Sequence, residues 1–317
     1  MSANICVIGG TGHIGSYLVP RLVSAGHEVT VISRGASTPY IADPRWAAVR
    51  RIALDRSVAE PAGEFGRLVA AVEADVVIDL ICFNRESAEM LARAVHGRVR
   101  HLLVCGTIWV HGHSEVVPTR EDQKRQPFGE YGVSKAQMED RLLHLAHTEG
   151  LPVTIIHPGH IVGEGWSPLN PEGHFDNRVW RSIKSGRTIT LPNIGLETVH
   201  HVHADDVARL FLAAMHRRSG ALGESFHAVS PQAVTLRGYA EAAYRWFGKE
   251  PEIRYLPWEE LKAGLSEIEA SQVWDHIAHS PCCSMEKARR ILDYTPAYGS
   301  LDAVRQSVAW LEREGQL

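Results

Sequence analysis

Near its N-terminus the chain reads Ile5-Cys6-Val7-Ile8-Gly9-Gly10-Thr11-Gly12-His13-Ile14-Gly15, a short apolar run that passes through spaced glycines into a helix-period segment over residues 14–25. Such a run predicts a strand, and a strand feeding a glycine turn and then a helix is the start of a dinucleotide-binding unit. The spacing is G-x-x-G-x-x-G. Gly9 permits the tight turn, Gly12 lets the backbone approach a pyrophosphate, and Gly15 permits close packing of helix on strand. Amides of the first helical turn then face the phosphates. Gly9, Thr11, Gly12, His13, Ile14 and Gly15 are the expected cofactor cradle.

Working outward, apolar runs at 28–33, 49–54, 76–80, 102–106 and 153–157 alternate with helical patterns at 64–73, 87–95 and 131–148. Strands buried on both faces read as such continuous runs, and crossovers of this length close right-handed strand-helix-strand units. The prediction is a doubly wound parallel α/β sheet. After His157 the texture changes to loops rich in proline and glycine (Pro158, Gly159, Gly163, Gly165, Pro168). A helix over 175–184, a strand over 198–202 and helices over 204–215, 236–247, 258–276, 285–292 and 301–313 follow. The expected organisation is a dinucleotide-binding domain over 1–163, to which 198–230 returns, and a smaller, mostly helical substrate lobe formed by 164–197 and 231–317.

Composition narrows the function. With 44% hydrophobic and 22% charged residues in 317, the chain can offset the entropy of ordering, which excludes a disordered protein. A formal net charge of −4 disfavours nucleic acid as the main partner, because phosphate binding needs concentrated positive charge. Cys6, Cys82, Cys105, Cys282 and Cys283 lack the spacing of a disulfide framework or a zinc knuckle. No stretch approaches the roughly 18 to 20 apolar residues of a membrane span, so a reducing, cytoplasmic setting is expected. The eighteen histidines stand out and make sensitivity to acid an expectation.

Two further clusters carry chemistry. At the end of the second strand, where a carboxylate would accept from the ribose hydroxyls of NAD, the chain has Ser33-Arg34. Ser33 leaves room for a 2′-phosphate and Arg34 can pair with it, which favours NADP and leaves NAD possible; Asp55, after the third strand, is placed to meet the adenine edge. Tyr131 and Lys135 stand at i and i+4 on one helix face. A nearby ammonium favours the phenolate and brings a tyrosine toward acid/base work. Thr107 follows the fifth strand, where its hydroxyl can hold the same substrate oxygen.

In this order, the glycine turn, Thr107 and Tyr131-Gly132-Val133-Ser134-Lys135 resemble the short-chain dehydrogenase/reductase superfamily, in its extended and atypical epimerase/dehydratase branch with a Rossmann-type fold. The resemblance covers essentially the whole chain and includes 117–122, His157-Pro158-Gly159-His160, Val202-His203-Ala204-Asp205-Asp206-Val207-Ala208 and 286–292. It implies Tyr131 as the acid/base, Lys135 as the group that holds the nicotinamide ribose and lowers the tyrosine pKa, and Thr107 as the orienting hydroxyl. It further implies His157 near the cofactor, His160, Asn177 and His201 near the substrate, and a homodimer.

Departures bear on the substrate, a small molecule. Thr198-Val199-His200-His201, His157-Pro158-Gly159-His160 and the segment before Cys282 carry histidines where sugar-nucleotide enzymes of the branch use arginine. Ten of the eighteen histidines fall in segments expected near the substrate side. A sugar nucleotide or related hydroxy/keto compound, turned over by epimerisation or dehydration, and a non-nucleotide carbonyl compound, reduced with NADPH, both stay open. The Ser33-Arg34-Gly35 turn also resembles relatives of chloroplast stem-loop RNA-binding proteins, which leaves a nucleotide-sensing or RNA-associated protein as the non-enzymatic alternative. Metal is not expected, because His201 and His203 share one strand face while His200 points away.

Overall fold

A computed structural model describes residues 2–35 and 38–317. Strands β1 (Asn4–Ile8), β2 (Glu28–Ser33), β3 (Arg50–Ala53), β4 (Val76–Asp79), β5 (His101–Cys105) and β6 (Val153–Pro158) are followed by the short β7 (His160–Val162), β8 (Ile189–Pro192), β9 (Thr198–Val199) and β10 (His201–His203). Then come β11 (Glu224–Ala228), β12 (Val234–Thr235) and β13 (Ile253–Leu256). Seven of these form one sheet in the order β11-β6-β5-β4-β1-β2-β3, with every neighbouring pair parallel. This is the doubly wound α/β architecture expected. The order reverses between β1 and β4, and a crevice opens at the carboxyl ends of the strands at such a switch point.

Strand alternation divides the core into two layers. Ile5 and Val7 pack with Leu18, Leu22 and Phe211 on one face, beneath helices His13–Ser24 and Ala204–His216. Cys6 and Ile8 pack with Phe65, Leu91, Met138 and Leu142 on the other, beneath helices Phe65–Ala71, Arg85–Val95 and Gly129–Glu149. A third cluster, around Trp180, Tyr239, Tyr244 and Leu311, holds the C-terminal lobe together. All five cysteines are free, and among the described residues no helix is long and apolar enough to cross a membrane.

Two elements differ from their sequence pattern. The helix expected over 258–276 is broken: Trp258–Leu261 is followed by a tight 3-10 turn, Lys262–Gly264, and a new helix, Glu267–His279. The reason is local, since Ser266 and Glu269 cap each other's backbone amides and nucleate a fresh start. The strand expected over 198–202 splits at His200. Its first half, β9, pairs antiparallel with β12 and its second, β10, pairs parallel with β7.

Candidate active site

The glycine turn sits at the mouth of the crevice. Gly9 adopts a φ of 78° and donates its amide to Ile32 O at 2.8 Å, which fastens the turn to β2. A Cβ on Gly15 would stand 2.1 Å from Gly10 O, so only glycine lets the helix lie this close. That helix starts on Gly12 with no side-chain cap and no acidic residue in its first turn. Its N-terminus is left for an anion, as a pyrophosphate requires.

Beside the turn, the His13 ring stacks on Trp166 at 5.7 Å and lies 5.8 Å from Tyr40. Burial, then repulsion from His203, brings the His13 pKa down to about 3, with the Glu164 backbone pulling the other way. These rings, with Phe83 and Phe175, line a cavity of about 420 Å³. Ser33 closes β2 and Arg34 follows it, exposed. Asp55 caps the turn Arg56–Ala59, accepting from Ser57 N at 2.9 Å and Ser57 Oγ at 2.6 Å. Those bonds hold its carboxyl low, and the Arg34 charge adds to them. The glycine cradle and the bare helix N-terminus fit a nicotinamide dinucleotide.

A second cavity, of about 140 Å³, is lined by Thr107, Trp109, Tyr131 and Pro158 and shares Gly159 and His160 with the first. Thr107 caps the 3-10 turn Ile108–His111, accepting from Trp109 N at 3.2 Å, and lines the cavity beside Tyr131. Lys135 is 1% exposed and donates to Cys82 O at 2.6 Å and Cys105 O at 2.8 Å. Its Nζ is 5.9 Å from the Tyr131 ring centre, and burial lowers its pKa.

This corrects one expectation. Although Tyr131 as a residue is 44% exposed, burial of the phenol, then repulsion from Cys105, pushes it up to about 12, with the Thr107 side chain pulling the other way. The lysine is committed to two backbone carbonyls, one at the end of β5 and one in the loop after β4, and is not among the causes that move the phenol. Tyr131 lines the smaller cavity.

The remaining expected residues scatter. His160 lines both cavities, 4.9 Å from the His276 ring and 6.0 Å from Trp109, with both ring nitrogens unpartnered. His201 lies behind it, wholly buried against Tyr239, because β10 pairs with β7 and turns this side chain into the lobe core. Asn177 accepts from Ser167 Oγ at 2.6 Å and reaches Gln316, so its amide ties the lobe to the chain terminus. His157 also leaves the cofactor set: its ring is buried and donates from Nε2 to Glu139 Oε2 at 2.5 Å.

Other groups at or near the site carry weak signals in the sequence. Trp166 and Tyr40 sit in loops with no periodicity. The pair of Arg56 and buried Asp79, joined at 2.8 Å, joins two segments that neither spacing nor motif connects. Asp79 also accepts from Ile81 N at 3.0 Å, shaping the end of β4.

The family model described as the NAD dependent epimerase/dehydratase family matches residues 5–228. The chain is 26% identical over 330 residues to 2'-dehydrokanamycin reductase of Streptomyces kanamyceticus, covering 100% of this chain and 90% of that protein. It is also 26% identical to the chloroplast stem-loop binding protein of 41 kDa b of Arabidopsis thaliana, covering 96% of this chain and 78% of that one. Among solved structures, a UDP-glucose 4-epimerase from Thermotoga maritima with UDP-glucose superposes with a TM-score of 0.76 at 19% identity, covering 98% of this chain and 99% of that one.

Proposed function

The chain belongs to the NAD dependent epimerase/dehydratase family, an NAD(P)-dependent enzyme family, and from that premise we propose that it is an NADP-dependent reductase or dehydrogenase of a carbonyl substrate that carries no nucleotide diphosphate. The observation that carries this reading is the lining of the smaller cavity, which presents Thr107, Trp109, Tyr131 and His160 and, among the described residues, no lysine or arginine. A diphosphate bound away from a helix N-terminus needs cations. The histidines do not supply them at neutral pH, since burial holds His160 well below its ordinary range and His276 at about 4.

Bound nicotinamide supplies or accepts the hydride. The chain's own residues do the rest. The helix N-terminus at Gly12 takes the pyrophosphate, and Arg34 pairs with the 2′-phosphate for which Ser33 leaves space. Trp166 and Tyr40 cover the glycine turn and keep water from it. Thr107 holds the substrate oxygen, and Tyr131, protonated at rest, gives its proton to that oxygen as the carbonyl becomes an alcohol. In the reverse direction the same group takes the proton back. The similarity to a protein named for reducing 2'-dehydrokanamycin, over the full chain, supports the reductase reading.

The test is a carbonyl panel of non-nucleotide ketones and sugar nucleotides, monitored by nicotinamide absorbance with NADPH and NADH. Stoichiometric NADPH consumption with a non-nucleotide ketone is expected. Turnover of a sugar nucleotide with no net change in nicotinamide would replace the reading by an epimerase, and tight binding of RNA or nucleotide without turnover would replace it by the non-enzymatic alternative.

A further inference from the structure

Behind the Thr107 and Tyr131 corner, three histidines from three separate segments converge. His111 ends the 3-10 turn that Thr107 caps, His157 lies in β6, and His227 lies opposite it in β11. All three are buried, His157 and His227 completely. One ring nitrogen from each lies within 4.8 Å of the others, and His111 Nε2 is 2.8 Å from His227 Nε2. His200, His201 and His203, weighed for metal from the sequence, do not belong to this group. His200 is engaged instead with Ser230 O and Cys283 N, and His203 with Gln306 and Asp205 N.

We propose that His111, His157 and His227 form a binding site for a divalent transition-metal ion of the zinc class, which fastens β5, β6 and β11 together beneath the catalytic corner. The hydrogen bonds decide which lone pairs remain. His157 gives its Nε2 proton to Glu139, which Arg125 also grips, so its Nδ1 carries a lone pair with no partner. His227 gives its Nδ1 proton to Ser284 O at 3.1 Å, so its Nε2 carries the other. Metal-bound histidines donate their second ring nitrogen to a carboxylate or a backbone carbonyl in this way, which sets the tautomer and orients the ring.

Without an ion the arrangement is incomplete. His111 can give its Nε2 proton to His227 Nε2, but then His111 Nδ1 and His157 Nδ1 are two buried lone pairs that accept nothing. Zinc–nitrogen bonds of about 2.0–2.1 Å at tetrahedral angles set ligand nitrogens roughly 3.3 Å apart. The His111–His227 nitrogens at 2.8 Å are closer than that, and the three ring nitrogens all lie within 4.8 Å of one another, so closure is a matter of side-chain adjustment. Water completes the fourth position. Glu139, and Glu121, whose Oε1 is 3.7 Å from His227 Nδ1, supply the negative charge that a buried dication requires. Because the cluster is closed to solvent, the ion is taken up as the chain folds and its binding energy becomes folding energy.

The test is elemental analysis of the full-length protein expressed in zinc-supplemented medium, with melting temperatures before and after incubation with a strong chelator. About one zinc per chain is expected, with a melting point lowered by chelation and restored by added zinc. Protein expressed in cobalt medium should show the visible d–d absorption of a four-coordinate nitrogen and oxygen site, lost in His227→Gln and retained in His101→Gln, a buried histidine outside the cluster. Zinc below about a tenth of an equivalent, together with melting that is indifferent to both chelator and zinc, would overturn the proposal even if the variants fail to fold.

Discussion

Lowering the pH from 7 to 5.5 should remove a large part of this protein's stability. His101, His201, His276 and His279 are buried in the described structure. Burial is the first cause of each shift, to about 4 in His101, His276 and His279 and about 3 in His201. Unfolded histidine titrates near 6.5, so between those values the unfolded chain binds protons that the folded chain refuses. Stability is then fully present above about pH 6.5 and falls with acidification until the folded pKa values are reached. Each group loses about 1 kcal/mol between pH 7 and 5.5, and four together about 5 kcal/mol. Glu121 and Asp275 work in the opposite sense, since burial raises their carboxyls, but they are two groups against four.

A loss of that size is comparable with the whole stability of many domains, about 5–15 kcal/mol. Urea unfolding followed by tryptophan fluorescence at pH 7.5, 6.5 and 5.5 should show the midpoint falling by about 1–2 M. His201→Phe replaces a ring whose two nitrogens have no partner with one that cannot titrate. It should flatten the slope by about 1.4 kcal/mol per pH unit below pH 6.5. A midpoint unchanged across this range, or an undiminished slope in the His201→Phe protein, would refute the reasoning.

Four further outcomes are expected. Tyr131→Phe should cut turnover by about 10²–10⁴-fold while cofactor titration by fluorescence stays near wild type, because only the proton-transfer group is lost; full activity would remove Tyr131 from its role. Arg34→Asp should exchange NADP preference for NAD, read as the ratio of the two dissociation constants, since a carboxylate repels a 2′-phosphate. Gly15→Ala places a methyl against Gly10 backbone and should cost about 1–3 kcal/mol or more in thermal unfolding and weaken cofactor binding in parallel. Arg56→Met strands the wholly buried Asp79 carboxylate and should destabilise by about 3–5 kcal/mol, with Arg56→Met/Asp79→Asn recovering part of the loss.

Much of the site is legible because its signals are local. The glycine spacing is tied to one turn, where Gly9 must take a positive φ and Gly15 must lack a Cβ. Tyr131 and Lys135 share a face through helix periodicity alone. The strands announce themselves as apolar runs since both faces of the sheet are covered. His157, His201 and Asn177 were expected at the ligand crevice because they fall in the right segments, yet a segment near the crevice has side chains pointing both ways. Strand pairing decided their direction, sending His201 to Tyr239 and His157 to Glu139.

The sequence by itself determined the doubly wound fold, the glycine turn that opens it and the shared helix face of Tyr131 and Lys135, since each rests on interactions between residues a few positions apart. Tertiary structure alone decided that Lys135 binds the carbonyls of Cys82 and Cys105, that Trp166 and Tyr40 gather around His13, and that His111, His157 and His227 meet. Those contacts join separate segments through the order of strands in the sheet, and the resulting burial raises the Tyr131 phenol further above neutrality. Local spacing carries the chain's chemistry, and packing sets the charge state in which that chemistry operates.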